Sequence, residues 1–467
     1  MAQLWTQGKC HGPHAFMVQL REQETHLPLP GVEVGDIGPK FGMASNDNGY
    51  LRLNNVRIDR ENMLMRSAKV LPNGDYVPAP HSKLAYGAMV FVRSVMISDQ
   101  AIYLATASTI AARYSCIRRQ GEIVPGQGEV KIMDYQTQQY RVVPEIAKAF
   151  AYFFASKTIR EVYFKVSSEL QDGNFEALPQ LHSLSSGLKS LVSWGVAEGI
   201  EQCRLACGGH GYMHASGMPD LYAGAVGGCT YEGDNIVMLL QVARYLMKAG
   251  RAVESGEKQT GLTSYLSKPG ARHSCLTEAV QFDQLLDAFE HVARRKVRRC
   301  VAALQQLKSA GHTEEDAWNR TGVELCKMAR AHVHVFLVSN FVDTVKTIPD
   351  KATRAVMTSL CRFYVLHLFY SRIGHFMEDG YVNAQQVAFV RHSLYATLAS
   401  LRPNVVALVD SWDLADRELR SVLGRYDGQV YPNMLEWVKH SPLNKNEVLD
   451  SVKKHLLPAM KEARSKL

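Results

Sequence analysis

Residues 229–250 read CTYEGDNIVMLLQVARYLMKAG, and this stretch decides the predicted fold. Its second half has the spacing of an amphipathic helix with one apolar face. The residues of that face are Ile236, Leu239, Leu240, Ala243 and Leu246. We expect the helix to begin near Asp234 and to stop at Gly250, with Lys248 in its last turn. The stretch therefore predicts a helical core element that follows directly on a polar turn.

Long apolar runs with few helix breakers lie on both sides of this element. Residues 85–118, 135–169 and 177–206 each predict a long helix. Together with the helix at 234, they predict a helical bundle joined by short connections. Residues 275–460 are again helical in pattern. The fold class is therefore mainly α, with a second, C-terminal helical domain after the first bundle.

The first 75 residues differ from the rest because they predict strands. Apolar and polar residues alternate over 16–21, and residues 50–58 predict another strand. Turn signals such as Pro-Leu-Pro-Gly and Asn-Gly separate these runs. The polar stretch 250–275 has the composition of a linker.

Three regions follow from this pattern, and we expect their boundaries at 1–78, 79–255 and 270–467. The first is a partial β-domain, the second is the helical bundle, and the third is the C-terminal helical domain.

Composition is that of an ordinary globular protein, with 46% hydrophobic and 21% charged residues among 467. The net charge of +8 is compatible with anionic ligands such as nucleotides and does not indicate nucleic acid. We expect no membrane span, because no run of about 18 apolar residues occurs. No secretory signal is visible, and nine scattered cysteines fit a reducing or thiol-tolerant compartment rather than a disulfide scaffold.

The last three residues, Ser465, Lys466 and Leu467, form the tripeptide that the peroxisomal import receptor reads at a carboxyl terminus. They predict a peroxisomal protein with that receptor as a partner.

Chemistry is most strongly indicated at residues 229–235. Glu232 precedes Gly233, which allows close backbone approach, and the pair comes just before the amphipathic helix. A carboxylate that protrudes from such a turn into a cleft can act as a base. The alternative is a capping arrangement, in which Glu232 and Asp234 only complement the helix dipole.

Two further motifs indicate a phosphate-bearing ligand. Gly208 and Gly209 follow a predicted helix and would let backbone amides approach a phosphate, although an ordinary helix C-cap has the same composition. Arg118 lies at the end of the first long helix and could hold a pyrophosphate, or could only complement the helix dipole. Arg93 lies 25 residues earlier, about 37 Å away along a helix, so the two arginines cannot hold the same phosphate.

Other clusters carry weaker signals. Cys203, Cys207 and His210 have helical spacing, but no fourth ligand is placed, so no metal site is predicted. The basic run at 294–299 has no interleaved aromatic residues and is interpreted as a solvated helix face rather than a nucleic-acid site.

These motifs, in this order, resemble the peroxisomal acyl-CoA oxidases over essentially the whole chain. The resemblance is carried by DIGPKFG at 36–42, DNGYLRLNNVRIDRENMLM at 47–65, MVFVRS at 89–94, DYQTQQY at 134–140, ACGGHGY at 206–212, YEGDN at 231–235, SVLGRYDGQVYPN at 421–433 and SPLNK at 441–445. The acyl-CoA dehydrogenases are broader relatives that share the flavin-binding core.

The resemblance implies an FAD-dependent oxidation of fatty acyl-CoA to trans-2-enoyl-CoA, the first step of peroxisomal β-oxidation. Dioxygen would be the acceptor and hydrogen peroxide the second product. Glu232 takes the position of the family's base, and Arg93 that of an acyl-CoA contact. Arg118, Gly208 and Gly209 take positions that contact the adenine and pyrophosphate of FAD, partly in a neighbouring subunit of a homodimer.

The resemblance also implies that an N-terminal helical domain and the first part of the β-domain are missing from this chain. We therefore expect a fragment, a short isoform or a misannotated start. The alternative function is a catalytically impaired oxidase-like subunit that dimerises with a full-length partner.

Overall fold

The computed structural model describes residues 1–79 and 87–466, and it begins with three two-stranded antiparallel hairpins. Their strands are β1 (Ala2–Thr6) with β2 (Lys9–His14), β3 (Val32–Asp36) with β4 (Gly49–Leu53), and β5 (Lys69–Val70) with β6 (Tyr76–Val77). Leu4, Met63, Ala68 and Val70 form a small apolar core of their own. The N-terminal region is thus strand-rich, as predicted.

Two of the predicted strands are wrong in extent. Residues 16–21 form no strand, and isolated bridges join Phe16 to Met63 and Arg21 to Pro28, because no neighbouring strand among the described residues runs alongside. The strand predicted over 50–58 ends at Leu53. It ends there because Asn55 has a left-handed backbone with φ of 53° and turns the chain.

The remainder of the described chain is helical. Its helices are α1 (Gly87–Ile117), α2 (Gln136–Gln171), α3 (Leu178–Ala206), α4 (Met218–Val226), α5 (Asn235–Glu254), α6 (Phe282–Ser309), α7 (Glu314–Lys346), α8 (Lys351–Tyr370), α9 (Ile373–Met377), α10 (Ala384–Leu401), α11 (Val405–Asp410), α12 (Asp416–Leu419), α13 (Val430–Lys439) and α14 (Leu457–Ser465). Each long helix before residue 255 begins within two residues of its predicted start.

Packing divides these helices into two neighbouring groups. The first group is α1, α2, α3 and α5, and the second is α6, α7, α8 and α10. Helix α7 packs against α2, α3 and α5 as well as α6 and α8, so it joins the two groups. One apolar core runs through both, from Val90 to Val430. No helix within residues 1–79 and 87–466 is long and apolar enough to cross a membrane.

The polar stretch predicted as a linker is packed against the body. Helix α5 continues to Glu254, and residues 261–267 form a 3-10 helix in which Tyr265 is buried. The Tyr265 hydroxyl lies 3.0 Å from Nδ1 of His332. Gly250 therefore does not stop the helix, and its role is close packing, since a methyl group there would lie 2.7 Å from Cγ1 of Val297.

The basic run 294–299 is only in part the solvated face that its composition predicts, with Arg298 and Arg299 exposed. Arg294 and Lys296 are buried. Arg294 donates to the carbonyl of Tyr265 at 3.2 Å, and Arg295 forms an ion pair with Glu378 at 2.8 Å. Charge alone misleads here because long basic side chains can bury their stems while their ends bond inside the protein.

Candidate active site

The turn before α5 carries Glu232 in an uncommon backbone conformation. Glu232 has φ of 58° and Gly233 has φ of 113°. Asp234 is the N-cap of α5, and its Oδ1 accepts from the backbone N–H of Ile236 at 2.8 Å and of Val237 at 3.3 Å. The capping interpretation thus holds for Asp234. Since Asp234 already supplies the cap, the half-buried Glu232 carboxylate is available for chemistry.

A network of buried hydrogen-bond donors holds the backbone of this turn. Nε of Arg93 donates to the backbone carbonyl of Glu232 at 3.0 Å. Nζ of Lys189 donates to the carbonyl of Gly233 and to Oδ1 of Asn235, the second bond at 2.8 Å. Nδ2 of Asn235 in turn donates to Oγ of Ser193 at 2.9 Å. The strained residue is therefore held at its own carbonyl and at that of the next residue, which is how left-handed non-glycine backbone is sustained.

Among these buried donors, Lys189 is the ammonium group and has a lowered pKa. It is 1% exposed, and burial is the main reason that its pKa falls from 10.5 to about 8. A buried ammonium group is costly unless it is hydrogen-bonded, and the Gly233 carbonyl and Asn235 side chain provide those bonds. We conclude that Lys189 is part of the structure that positions Glu232.

A cavity of about 650 Å³ opens in front of Glu232. One wall is the loop 40–48 of the strand-rich region, and the other is α4 with the turn that follows it. Phe41 packs edge-on against Tyr222 with ring centroids 6.2 Å apart. Gly42 allows the close approach of the loop, because any side chain there would overlap the carbonyl of Ala223. The lining is mainly apolar, so this cavity suits a flat or acyl group beside a carboxylate.

Arg118 and the double glycine lie together at the opposite end of α1 and α3. Nη1 of Arg118 donates to the Tyr431 hydroxyl at 2.8 Å, and this bond is the main reason that the pKa of Arg118 is raised. The Tyr431 ring also lies 6.4 Å from that of His210, which directly follows Gly209. The structure therefore brings Arg118 close to the glycine loop through Tyr431.

The glycine loop is open to a ligand. Gly208 has φ of 59°, and apart from chain neighbours no atom of the described residues lies within 4 Å of where a side chain of Gly208 or Gly209 would begin. Exposed backbone amides beside a guanidinium are suited to a pyrophosphate group. Arg118 is separated from Arg93 by 25 residues along α1, a rise of about 37 Å. Arg93 bonds the backbone carbonyl of Glu232, so the glycine loop and the Glu232 turn lie towards opposite ends of this helix.

Within the described part of the chain, no group of three or more His, Cys, Asp or Glu side chains could hold a metal ion. Burial raises the pKa of the Cys207 thiol to about 12, and His210 bonds the Tyr114 hydroxyl at 2.8 Å.

Sequence reasoning missed Lys189 and Ser193. A usable signal is present, because Lys189 is the one charged residue among the small and apolar residues 183–197. A lysine in such a run must either be buried with partners or interrupt the helix face. Its partners are 44 and 46 residues away, so the sequence alone does not identify them.

Comparison with known proteins gives consistent matches along the chain. Residues 86–247 match the acyl-CoA oxidase C-alpha1 domain, and residues 281–461 match the acyl-CoA oxidase family. Peroxisomal acyl-coenzyme A oxidase 1 of Rattus norvegicus is 46% identical over 467 residues, which cover 98% of this chain and 71% of the rat protein.

Solved structures agree with these sequence matches. Acyl-CoA oxidase-2 of Caenorhabditis elegans, bound with FAD, ascaroside-CoA and ATP, is 44% identical with a TM-score of 0.94, covering 99% of this chain and 69% of that one. Acyl-CoA oxidase 1 of Arabidopsis thaliana is 39% identical with a TM-score of 0.94, and the match covers 99% of this chain and 71% of that one.

Proposed function

The chain belongs to the acyl-CoA oxidase family, and on that premise we propose that Glu232 is the base of its reaction. The protein is an FAD-dependent oxidoreductase of fatty acyl-CoA in the peroxisome, where it acts in β-oxidation. The single observation that carries the role of Glu232 is its position on a fixed turn that faces a mainly apolar cavity.

Glu232 would remove a proton from the carbon next to the thioester carbonyl. That C–H bond is the acidic one, because negative charge that develops there is shared with the carbonyl oxygen. A carboxylate within an apolar cavity can accept this proton without competition from bulk water. The neighbouring carbon loses a hydride in the same oxidation, so the product is the trans-2-enoyl-CoA.

FAD supplies the hydride acceptor when bound, and reoxidation by dioxygen gives hydrogen peroxide. We propose that Arg118, Gly208 and Gly209 hold its pyrophosphate and adenine, since their open backbone and guanidinium fit that group. Arg93 remains the proposed acyl-CoA contact, and its bond to the backbone carbonyl of Glu232 places its guanidinium against the turn that carries the proposed base.

A homodimer is part of the same proposal. Arg118 and Arg93, which bonds the Glu232 turn, are about 37 Å apart along α1, so we propose that each end contacts FAD held with a second copy of the chain. The import receptor is the other proposed partner. Ser465 is the last residue of α14, and Nζ of Lys466 bonds Glu462 at 2.6 Å on the protein surface, while Leu467 lies outside the described residues.

The test of the base is Glu232→Gln, which keeps the shape of the side chain and removes its basicity. We expect peroxide production from palmitoyl-CoA to fall by about 10²- to 10⁴-fold, while bound FAD stays near the wild-type amount. Peroxide release and the absorbance of bound flavin give the two readouts.

Asp234→Asn is the matched control, because asparagine also caps helices. It removes a carboxylate two residues from Glu232 and should leave turnover close to wild type. Turnover retained in Glu232→Gln would show that another residue is the base. Loss in both variants would point to damage to the turn.

A further inference from the structure

The described chain ends in a surface segment, residues 441–466, which we call the C-terminal arm. All of its residues are exposed except Ser441 and Val452, which are half-buried. Among the described residues, its hydrogen bonds and its ion pair stay within the arm or reach only α13 directly before it. Helix α14 packs mainly on the helical turn Val452–Leu456 that precedes it. The side chains of the arm are therefore free to contact something outside the molecule.

The arm exposes large apolar side chains to solvent. The following are between 41% and 71% exposed: Leu443, Val448, Leu449, Leu456, Leu457 and Met460. Val452, Leu456 and Met460 are four residues apart in turn, so they form one stripe along the helix that runs over 450–465. Apolar side chains grouped on a surface in this way mark an interaction site.

Positive charge accompanies this apolar stripe. The arm has six lysine and arginine residues against three acidic ones, a net charge of +3. Lys466 pairs with Glu462 at 2.6 Å. Within residues 1–79 and 87–466, no carboxylate lies at ion-pair distance from the other cations of the arm, which are Lys445, Lys453, Lys454, Lys461 and Arg464. The partner of the arm must therefore be apolar and negatively charged at once.

We propose that the C-terminal arm docks the protein on a membrane surface that contains anionic lipids. An amphipathic helix lies in the plane of such a surface, with its apolar stripe among the acyl chains and its cations at the headgroups. Lys453 and Lys454 lie in the turn that carries Val452 and Leu456. Their long side chains reach the headgroups while their stems stay beside the apolar stripe.

Charge argues against a second copy of this chain as the occupant. In a two-fold symmetric pair, the same patch of both copies meets, so two arms of net charge +3 would face each other. Like charges that meet at an interface cost free energy, whereas anionic headgroups neutralise them. The import receptor reads the last three residues of the chain, and the apolar stripe over 452–460 ends before them.

The chemistry of the substrate fits this location. Fatty acyl-CoA is amphiphilic, and its acyl chain partitions into bilayers for the same reason that lipid anchors do. A protein held at the membrane surface therefore meets its substrate where that substrate collects.

Co-sedimentation of the FAD-loaded full chain with lipid vesicles tests the proposal. One set of vesicles is phosphatidylcholine alone, and the other contains about 30% phosphatidylserine. We expect the protein to bind the phosphatidylserine vesicles at about 0.1 M salt and to be released at about 1 M salt, where charges are strongly screened. Binding to phosphatidylcholine alone should be much weaker.

Two double variants of the arm separate the contributions of charge and of apolar insertion. Lys453→Gln with Lys454→Gln should weaken partitioning onto the phosphatidylserine vesicles by about 25-fold, since each lysine near an anionic surface contributes about fivefold. Leu456→Asn with Met460→Asn should weaken it by about tenfold or more, because the stripe no longer inserts.

Matched controls remove the same groups elsewhere on the surface. Lys165 on α2 and Lys351 on α8 are exposed, and Lys165→Gln with Lys351→Gln lowers the net charge by the same amount. Val323 on α7 is 70% exposed, and Val323→Asn removes an apolar side chain outside the arm. Both controls should bind the vesicles as the wild type does.

Several outcomes would overturn the proposal. These are no binding of the wild type to phosphatidylserine vesicles, equal binding to both kinds of vesicle, or equal losses in the arm variants and the controls. Light scattering without vesicles tests the other occupant: if Leu456→Asn with Met460→Asn halves the molar mass of the wild type, a second copy covers the arm. An unchanged mass supports the membrane.

Circular dichroism verifies that each variant is folded before it is sedimented. If an arm variant fails to fold, the lipid and salt dependence of the wild type decides the question. Binding that is insensitive to salt would then reject a docking surface built on unpaired cations.

Discussion

Lys189 shows how a single buried residue can control the geometry of a reacting group. It bonds the carbonyl of Gly233 and the side chain of Asn235, the two residues that flank Asp234 directly after Glu232. Replacement by methionine keeps the length of the side chain and removes both bonds. The left-handed backbone at Glu232 then loses support on one side.

We expect Lys189→Met to lower kcat by about 10²-fold through misplacement of the carboxylate, with a much smaller change in KM. Steady-state peroxide assays over a range of acyl-CoA concentrations separate the two constants. Lys248→Met is the control, since Lys248 is an exposed lysine on α5 outside the cavity at Glu232. A rise in KM with kcat intact would contradict a positioning role.

The same lysine predicts a pH dependence of stability. Its pKa is about 8 in the folded protein and 10.5 ordinarily, so between these values the unfolded chain binds the extra proton. The free energy of unfolding therefore gains a contribution that grows as pH rises from 8 to 10.5. Urea unfolding measures the free energy of unfolding of wild type and of Lys189→Met. Between pH 8 and 10.5, this free energy should rise in the wild type relative to Lys189→Met. A difference that is flat with pH would mean that Lys189 is not perturbed.

At the scale of elements, two helical glycines predict opposite effects of the same substitution. Gly250 on α5 faces α6, and a methyl group there would lie 2.7 Å from Val297 and 3.0 Å from Val301. Gly322 on α7 has no atom within 4 Å of the same position. The first glycine is therefore required by packing, whereas the second only weakens its helix.

We expect Gly250→Ala to lower the free energy of unfolding by about 1–3 kcal/mol through overpacking between α5 and α6. Gly322→Ala should raise it by about 0.5–1 kcal/mol, because alanine restricts the unfolded chain and favours the helix. Urea denaturation of both variants provides the measurement. A stabilised Gly250→Ala would show that α5 and α6 can separate at no cost.

For the whole molecule, the decisive feature is the shared apolar core. Helix α7 packs on α2 and α5 of the first group and on α6 and α8 of the second. The predicted domain boundaries between 255 and 270 fall where Tyr265 and Leu266 are buried. Separating the two groups would therefore expose a large part of one continuous core.

We expect the two helical groups to unfold together, as one calorimetric transition with equal calorimetric and van't Hoff enthalpies. Differential scanning calorimetry at several scan rates checks this. Two resolved transitions would instead support independent domains at 79–255 and 270–467.

The sequence by itself determined the helices, the turn that carries Glu232, and the family. Those features are local: the 3.6-residue spacing fixes α5, and the YEGDN motif keeps the proposed base, the glycine and the cap in three consecutive residues. Where composition was the only guide, the sequence misjudged the role of Gly250, the packing of the predicted linker 250–275 and the burial of the basic run 294–299.

Only the tertiary structure placed Lys189 under the Gly233 carbonyl and Tyr265 beside His332. Each of these pairings joins residues more than 40 apart in the chain. Burial and hydrogen bonding between them depend on which helix faces pack together, and local spacing does not contain that information.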